Sequence, residues 1–600
     1  MALLRRPRVQ PTGARGASSA LETAEREATA AGTNLARQVQ VIEEVEALTA
    51  QGRFGEALTR VAEALAATPE DGELLCARAS ILQRWGRLHE ARAGYSRAEA
   101  SGFQSTTLCV ELGWTRFFTG DVPGAEACMR RAVALDPESG GAHFSLAATL
   151  SAQGRYDEAV EVGKRGLELS PDDYDALVMI AGCELKLGET GKGEPFLRRA
   201  STVAGDRPRA WTDLGGVLAS EGRQGEALEA LRTAAELEVK AGEEVGAAIN
   251  LARYLLDLGR VREALAQLEQ ILCTTPDSYA HLCYSFALLT VGRLREGWHH
   301  HEFRWLIEPA RSRRPAFPVP VWSGQDLRGK TILLRGEQGY GNIIQLLRYA
   351  PLVKALGASV VLQVRQGLDR LCAGVEGVDR VITFEQALPA FDYYIHLHTL
   401  PTVFETDLDS IPADIPYIRL DSAWVGRWAG RVGAAGELKV GLVWAGNPSH
   451  RYDRDRSIPQ PLLDPLWDVK GVRFYSLQKG SAAAAAQAAV PERGLVDLGP
   501  DLEDFADTAA VIAQLDLVIG VDTAVVHLAG ALGKPVWLLV ANPAEWRWLE
   551  ERVDSPWYPT LRLFRQREHG AWPEVIERVR VALEQRVRSG EAPARRAEPV

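Results

Sequence analysis

The stretch LVIGVDTAVVHLAGALGKPVWLLV, residues 517–540, decides the fold of the second half of the chain. An apolar run rich in β-branched residues is followed by a short polar turn, a helical stretch and a second apolar run. This order predicts a strand, a helix and a parallel strand. Asp522 and Thr523 follow the first strand, where Thr523 is placed to cap the helix that carries His527.

Backbone N–H groups at the start of such a helix can hold a pyrophosphate. Asp522, Thr523 and His527 are therefore candidate binding residues. The same residues also fit a structural interpretation, in which Asp522 and Thr523 only cap the helix and His527 packs in the core. The stretch alone leaves both interpretations open.

Short β-rich runs alternate with helical stretches from residue 331 onward, in two series divided near residues 421–438. The alternation predicts parallel sheets covered on both faces. Two series predict twin Rossmann-like domains with a cleft between them, in which ligands bind beyond the C-terminal ends of the strands. The runs are TILLR, SVVLQV, DRVITF and DYYIHLH in the first series, and KVGLVWAG, VRFYSLQ, LVDLG, DLVIGVD and PVWLLV in the second.

A glycine-rich turn lies in RGEQGYGNIIQLLRYAP, residues 335–351, between an apolar run and an amphipathic helix. Gly336, Gly339 and Gly341 belong to this turn. A strand, a glycine turn and a helix start are the parts of an anion or sugar-phosphate site. Asn342 stands where a carboxylate would act as a base, and an amide cannot accept a proton at neutral pH.

The first half of the chain is periodic. A glycine followed five residues later by a small residue recurs with a spacing of 34 residues in most units, which predicts pairs of closely crossing helices. This period and layout resemble the tetratricopeptide repeat family over residues 38–308. The resemblance implies a superhelix whose concave face binds an acceptor protein. The repeat glycines are Gly52, Gly86, Gly120, Gly154, Gly188, Gly222, Gly259 and Gly292.

The composition of the chain argues against several classes of function. The net charge of −11 argues against nucleic acid as the main partner, and no apolar run is long enough to span a membrane. The seven cysteines form no CxxC pair, which predicts reduced thiols in a cytoplasmic protein. The basic N-terminus fits either a disordered tail or an organellar transit peptide.

The motifs of the second half together resemble bacterial proteins that join tetratricopeptide repeats to a heptosyltransferase-like (family 9) glycosyltransferase domain. The resemblance rests on GVDTAVVHLAGALGKPVW, RGEQGYGNIIQLLRYAP, WAGNPSHRYDRDRSIP and DSPWYPTLRLFRQ, and covers residues 330–585. It implies a GT-B fold and an inverting, metal-independent transfer from a nucleotide-sugar. Bacterial flagellin glycosyltransferases have a similar layout, which implies a protein acceptor.

The resemblance also implies roles for individual residues. Asp522, Thr523, Ala524 and His527 match the donor-phosphate motif, although heptosyltransferases usually have glycine in place of Ala524. The basic loop suggests Arg456 and Ser457 as further donor-binding residues. Lys479 resembles a phosphate-binding lysine. Such cations would stabilise the leaving nucleoside diphosphate, the role that a metal plays elsewhere. Each cation also fits a solvated surface charge.

In this family the glycine turn usually supplies an aspartate as general base, and here it supplies Asn342. Three interpretations follow. The base is another residue, with His396, His398, Glu337 and Asp453 as candidates; or the transfer needs little help from a base; or the domain has lost catalysis and only binds. Three DxD triplets occur, one of them inside a repeat, so we predict no metal site and no cofactor.

We therefore predict a tetratricopeptide superhelix followed by an α/β GT-B region. The predicted function is transfer of a sugar to a protein hydroxyl, possibly of flagellin. The alternatives are an inactive repeat scaffold and a transferase acting on lipopolysaccharide or another glycan. The predicted domains are a disordered tail (1–37), the repeats (38–308), a proline-rich linker (309–330), the N-terminal Rossmann-like half (331–420), the donor-binding half (437–585) and a tail (586–600).

Overall fold

The computed structural model describes residues 30–242, 245–337, 339–433, 436–450, 452–483 and 494–589, with side chains from residue 38 onward. The chain divides into two compact units, Met1–Ala247 and Ala248–Val600. The last repeats thus belong to the second unit, whereas the sequence placed the domain boundary after residue 308. Residues 1–29 of the predicted N-terminal tail and residues 590–600 of the predicted C-terminal tail lie outside the described residues.

The repeat region consists of short helices that pack in successive pairs. Its first helix begins at Ala30, before the predicted start at residue 38. All eight repeat glycines have φ between 72° and 87°, a left-handed conformation that glycine adopts without strain, at the turn within each pair. The helices are α1 (Ala30–Ala50), α2 (Phe54–Ala67), α3 (Gly72–Arg84), α4 (Leu88–Ala100), α5 (Thr106–Phe118), α6 (Val122–Leu135), α7 (Gly140–Ala152), α8 (Tyr156–Leu169), α9 (Tyr174–Lys186), α10 (Thr190–Val203), α11 (Pro208–Ser220), α12 (Gln224–Ala241), α13 (Gly246–Asp257), α14 (Val261–Thr274), α15 (Ser278–Thr290) and α16 (Leu294–His301).

Two parallel sheets follow, one in each α/β domain. The first sheet has the order β3-β2-β1-β4, and the second has the order β10-β9-β8-β5-β6-β7. The strands are β1 (Thr331–Arg335), β2 (Ser359–Val364), β3 (Arg380–Thr383), β4 (Tyr393–His396), β5 (Leu438–Val443), β6 (Val472–Ser476), β7 (Val496–Asp497), β8 (Leu517–Val521), β9 (Val536–Val540) and β10 (Leu561–Arg565). The second order is that of a doubly wound dinucleotide-binding sheet. The predicted fold class, helical repeats followed by two Rossmann-like domains, is confirmed.

Short helices cover the two sheets and connect their strands. They are α17 (Ala310–Arg313), α18 (Tyr340–Leu346), α19 (Ala350–Ala355), α20 (Asp369–Cys372), α21 (Leu400–Val403), α22 (Ser422–Trp428), α23 (Asp453–Arg456), α24 (Asp464–Trp467), α25 (Phe505–Ile512), α26 (Ala524–Ala531) and α27 (Trp572–Ser589). No helix within the described residues is long and apolar enough to cross a membrane.

The strand order reverses between β1 and β4 in the first sheet and between β5 and β8 in the second, although all the strands are parallel. Ligands of open parallel sheets bind outside the C-terminal strand ends at such switch points. Glu337 and His398 follow the strands at the first switch point, and Asp522 follows β8 at the second. Predicted site residues thus stand at both switch points.

The last repeat packs directly on the α/β domains. Leu289, Leu294 and Trp298 belong to the same hydrophobic core as the first sheet, and Trp298 has no exposed surface. Its ring meets that of Trp546 edge-on, with centroids 5.2 Å apart. The linker after the repeats also follows the first sheet, because the N–H of Trp322 donates to the carbonyl of Tyr394 over 2.8 Å.

Candidate functional site

The second switch point is built around an arginine. Nη1 of Arg456 donates to the backbone carbonyl of Asp522 over 2.9 Å, and its Nε donates to the carboxylate of Asp453 over 3.1 Å. A Cβ on Gly446 would lie 2.3 Å from Oδ1 of Asp453 and 2.4 Å from Nη2 of Arg456, so a side chain at this position would displace the pair. The hydroxyl of Ser457 accepts the N–H of Gly446 over 3.0 Å. The predicted residues Arg456 and Ser457 therefore lie together, beside Asp522.

Asp522 is held by two side chains from its own domain. Its Oδ2 accepts the indole N–H of Trp548 over 2.9 Å, and its Oδ1 lies 3.5 Å from Nε2 of His527. Burial acts to raise the pKa of Asp522, but the hydrogen bond and charge interaction with His527 outweigh it and hold the pKa below its usual range. Burial lowers the pKa of His527. Asp522 is therefore charged and His527 neutral at pH 7.

His527 is a packed residue that holds Asp522. Only 4% of it is exposed, its Nδ1 lies 3.0 Å from the hydroxyl of Tyr558, and its ring stacks on Trp548. This geometry agrees with the core-histidine interpretation of the sequence. A role in donor binding would be indirect, through the position of Asp522.

The prediction that the Thr523 side chain caps its helix is wrong. Thr523 occupies the N-cap position of α26, but its side chain makes no capping hydrogen bond. Its hydroxyl is buried and has no hydrogen-bond partner. A buried hydroxyl without a partner is costly, so a ligand oxygen at this helix start would relieve it. At the start of α26 the N–H groups of Val526 and His527 donate to the carbonyl of Thr523 over 3.2 and 3.5 Å, so those of Ala524 and Val525 are the ones without an acceptor in the helix.

Lys479 lies apart from this group. It follows β6 and is exposed, and its ammonium donates to the backbone carbonyl of Leu502. The neighbouring Gln478 accepts the N–H groups of Trp444 and Ala445 over 3.0 and 2.9 Å, which ties the loops after β5 and β6 together. Lys479 is thus at the predicted edge of the sheet, with its charge directed to a backbone carbonyl.

The glycine turn of the first α/β domain meets α26. Gly339 has φ of 87° at the start of α18. A Cβ on Gly341 would lie 2.8 Å from Cδ2 of His527 and 3.4 Å from Cα of Ala524. Oδ1 of Asn342 accepts a hydrogen bond from Nη2 of Arg547 over 2.9 Å. The turn therefore joins the two domains, and Asn342 is engaged with an arginine.

A buried charge network occupies the first switch point. Nη2 of Arg304, from the end of the repeats, donates to Oε1 of Glu337 over 3.0 Å, and Nδ1 of His398 lies 3.4 Å from the same oxygen. Burial acts to raise the pKa of Glu337, but His398 and Arg304 outweigh it and hold the pKa well below its usual range. The last repeat thus completes the charge pairing of this switch point.

His396 lies at the edge of that network, with its Nδ1 3.9 Å from Oε1 of Glu337. Its ring packs on Trp305, with centroids 4.4 Å apart, and neither ring nitrogen has a hydrogen-bond partner. Burial lowers the pKa of His396 to about 4, against the opposing effect of Glu337. At neutral pH the ring is uncharged and enclosed.

Comparison with protein families identifies both parts of the chain. Models described as "Tetratricopeptide repeat" match residues 110–174, 150–214 and 245–270. The model described as "Glycosyltransferase family 9 (heptosyltransferase)" matches residues 470–571. The chain joins tetratricopeptide repeats to a glycosyltransferase family 9 domain. The family 9 match spans β6 to β10 and includes Lys479, Asp522, Thr523 and His527, whereas Arg456 and the glycine turn lie outside it.

One relative matches most of the chain. Protein FlbA of Caulobacter vibrioides is 29% identical over 508 residues, which cover 79% of this chain and 83% of FlbA. Among solved structures, MamA is 18% identical with a TM-score of 0.26, over 28% of this chain and 91% of MamA. Yeast Tom70 is 17% identical with a TM-score of 0.33, over 43% of this chain and 56% of Tom70. These scores are too low to carry an argument about the fold.

Sequence patterns did not indicate several residues of the family 9 domain and its surroundings. Arg547 reaches Asn342 and had no sequence signal. The aromatic residues near it, Trp546, Trp548, Trp557 and Tyr558, fit stacking on a sugar or base or packing at the domain seam; they belong to the hydrophobic core, and Trp548 also binds Asp522. Arg304 lies at the end of the repeats and belongs to none of the motifs in the sequence analysis. Within the described residues, no group of three or more histidine, cysteine, aspartate or glutamate side chains is placed to hold a metal ion.

Proposed function

We propose that the chain transfers a sugar from a nucleotide-sugar donor to a hydroxyl group of a protein. The observation that carries the proposal is the second switch point. There Arg456 is fixed against Asp522, and the unpartnered Thr523 hydroxyl stands at the start of α26. A cation, a helix N-terminus and a hydroxyl without a hydrogen-bond partner suit a phosphate of the donor.

The proposed chemistry is an inverting displacement without a metal. The acceptor oxygen attacks the anomeric carbon while the bond from that carbon to the donor phosphate breaks, and the electron pair leaves with the nucleotide. Arg456 and the N-terminal dipole of α26 stabilise the negative charge that develops on the leaving phosphate. We propose that these groups perform the role that a metal ion performs in other transferases.

A protein acceptor is supported by the way the repeats end. Arg304 and Trp305, from the last repeat, contact Glu337 and His396 at the first switch point. A protein bound at the last repeat, which belongs to the same compact unit as the α/β domains, would therefore lie near the strand ends of the first α/β domain. Asn250 is the only asparagine in the array, so recognition would use other side chains. Flagellin as the acceptor stays a prediction.

One observation favours a second candidate, a scaffold without catalysis. Asn342 replaces the carboxylate expected at the glycine turn, and its amide oxygen is already paired with Arg547. In such a scaffold the donor site would bind a nucleotide without transfer. The same purified protein separates the two functions when it is given a labelled donor.

The test is transfer of radiolabelled sugar from a panel of UDP-, GDP-, dTDP-, ADP- and CMP-sugars. The purified chain is added to an extract of cells that lack its gene. We expect label in a protease-sensitive band with the wild type and none with Arg456→Gln. Label in lipid or in protease-resistant glycan would indicate that the acceptor is a glycan and not a protein. Binding of nucleotide without transfer to either fraction would favour the scaffold.

A further inference from the structure

The carboxylate of Glu545, in the second α/β domain, is connected to the glycine turn through Arg547. Glu545 follows β9 and caps a short 3-10 helix, Trp546–Trp548. Its Oε2 accepts the N–H of Arg547 over 3.0 Å, and its Oε1 pairs with the guanidinium of Arg547. These two bonds fix the orientation of the carboxylate, and each oxygen keeps a further lone pair.

One guanidinium connects Glu545 to Asn342. Nη1 of Arg547 holds Glu545, and Nη2 donates to Oδ1 of Asn342 over 2.9 Å. Two hydrogen bonds and one guanidinium separate the groups, so the carboxylate lies within about 8 Å of the amide. Glu545 therefore lies near Asn342, the position at which the glycine turn would otherwise supply an aspartate as base.

The same loop also touches the donor side. Trp548 donates its indole N–H to Asp522 over 2.9 Å, three positions after Glu545. Residues 545–548 thus contact both the glycine turn and the residue that follows β8. Glu545 therefore belongs to the loop that connects the proposed phosphate site to the glycine turn of the first α/β domain.

The carboxylate of Glu545 is exposed to solvent, and its pKa is raised. Its side chain is 39% exposed, whereas that of Arg547 is 8% exposed. The pKa of Glu545 is raised to about 7, first because the surrounding protein displaces part of the water around the carboxylate. The charge of Asp522 adds to this rise, and Arg547 opposes it. Water at the exposed carboxylate moderates this rise and lets protons exchange. Arg547 and Asp522 are the charged groups that act on it most strongly.

We propose that Glu545 is the general base of the transfer, in place of the carboxylate absent at Asn342. The inference rests on the proposed function. The acceptor O–H bond breaks and its proton passes to Glu545, while the oxygen bonds to the anomeric carbon and the sugar–phosphate bond breaks toward the nucleotide. Glu545 then releases the proton to water, so sugar, nucleotide and proton are all accounted for.

The other titratable candidates are less suited to this role. Glu337 is engaged by Arg304 and His398, which lower its basicity. His396 is enclosed against Trp305 and has 8% of its side chain exposed. Asp453 is tied to Arg456 in the proposed donor site. Glu545 has an exposed carboxylate, and its partner Arg547 also binds Asn342 of the first α/β domain.

The first measurement is proton uptake on nucleotide binding. The full chain is titrated at pH 7 with nucleoside mono- and diphosphates in buffers of different ionisation enthalpy. A bound phosphate near Glu545 favours its protonated form, so the wild type takes up on the order of 0.3 proton more than Glu545→Gln. Glu551→Gln, an exposed residue of the same loop, is the matched control and behaves as the wild type.

The second measurement is the rate of nucleotide release from the matching nucleotide-sugar, with water as acceptor, between pH 5.5 and 8.5. Glu545→Gln binds the nucleotide, releases it about 100-fold more slowly, and loses the rise of rate with pH. Glu545→Asp retains part of the rate. Unchanged proton uptake and an unchanged pH profile in Glu545→Gln overturn the inference while the donor site stands. Failure of the wild type to bind any nucleotide removes the proposed function itself.

Discussion

Replacing His396 by phenylalanine is expected to make the stability of the C-terminal unit less dependent on pH. The imidazole is buried against Trp305, and neither nitrogen has a hydrogen-bond partner. A phenylalanine ring fills the same space and leaves no polar group unpaired, at a cost of about 1 kcal/mol for its slightly larger volume. That cost is the same at every pH, so the variant isolates the titration of the histidine.

The magnitude follows from the depressed pKa. Burial lowers the pKa of His396 to about 4 from an unfolded value of 6.5. The unfolded chain therefore binds the proton more readily, and stability present above pH 6.5 is lost as the pH falls toward 4. Between pH 7 and pH 5 the loss is about 2 kcal/mol. For a unit of roughly 350 residues this corresponds to a change in melting temperature of about 3 °C.

Differential scanning calorimetry of the full chain at pH 7 and pH 5 measures this difference. The transition of the C-terminal unit should fall about 3 °C further in the wild type than in His396→Phe. His299→Phe is the control, because it makes the same exchange at an exposed histidine of the last repeat, 3.0 Å from Glu405. Parallel falls in the wild type and His396→Phe would refute the assignment of a buried, uncharged imidazole.

Three further substitutions probe the junction of the domains. Trp298→Ala removes a fully buried ring between the repeats and the α/β domains, and should cost about 3–5 kcal/mol in the unfolding of the C-terminal unit. Gly341→Ala places a methyl group 2.8 Å from the His527 ring and should cost about 1–3 kcal/mol, measured by thermal unfolding. In Asn342→Asp the new carboxylate shares Arg547 with Glu545, which remains the proposed base, so nucleotide release should change less than about threefold. A gain of about 100-fold would instead show that the turn is the position of the base.

The repeats and most strands could be predicted from the sequence because their signals are local. A glycine at a fixed phase predicts a turn, and all eight adopt the left-handed conformation. β10 was absent from the predicted strands. Its sequence LRLFR alternates the buried Leu561 and Leu563 with an exposed Arg562, and this pattern is weaker than a continuous apolar run. Edge position in the sheet explains this alternation.

The candidate site was predictable only in part. Asp522 and Arg456 were located by motif, and they are in contact. The partner of Asn342 was not predictable, because Arg547 lies 205 positions away and the contact forms only when the two domains meet. Threonine at an N-cap position was predicted correctly, but propensity does not determine the rotamer, and the Thr523 hydroxyl does not cap the helix.

Isothermal titration of nucleoside mono- and diphosphates tests the central claim most directly, that Arg456 and α26 bind the donor phosphate. Arg454→Gln is the matched control, since Arg454 is an exposed residue of the same short helix as Arg456. We predict that the wild type and Arg454→Gln bind one nucleotide with similar affinity, and that Arg456→Gln binds it about 10- to 100-fold more weakly. Equal binding by Arg456→Gln, or no binding of any nucleotide by the wild type, would contradict the account.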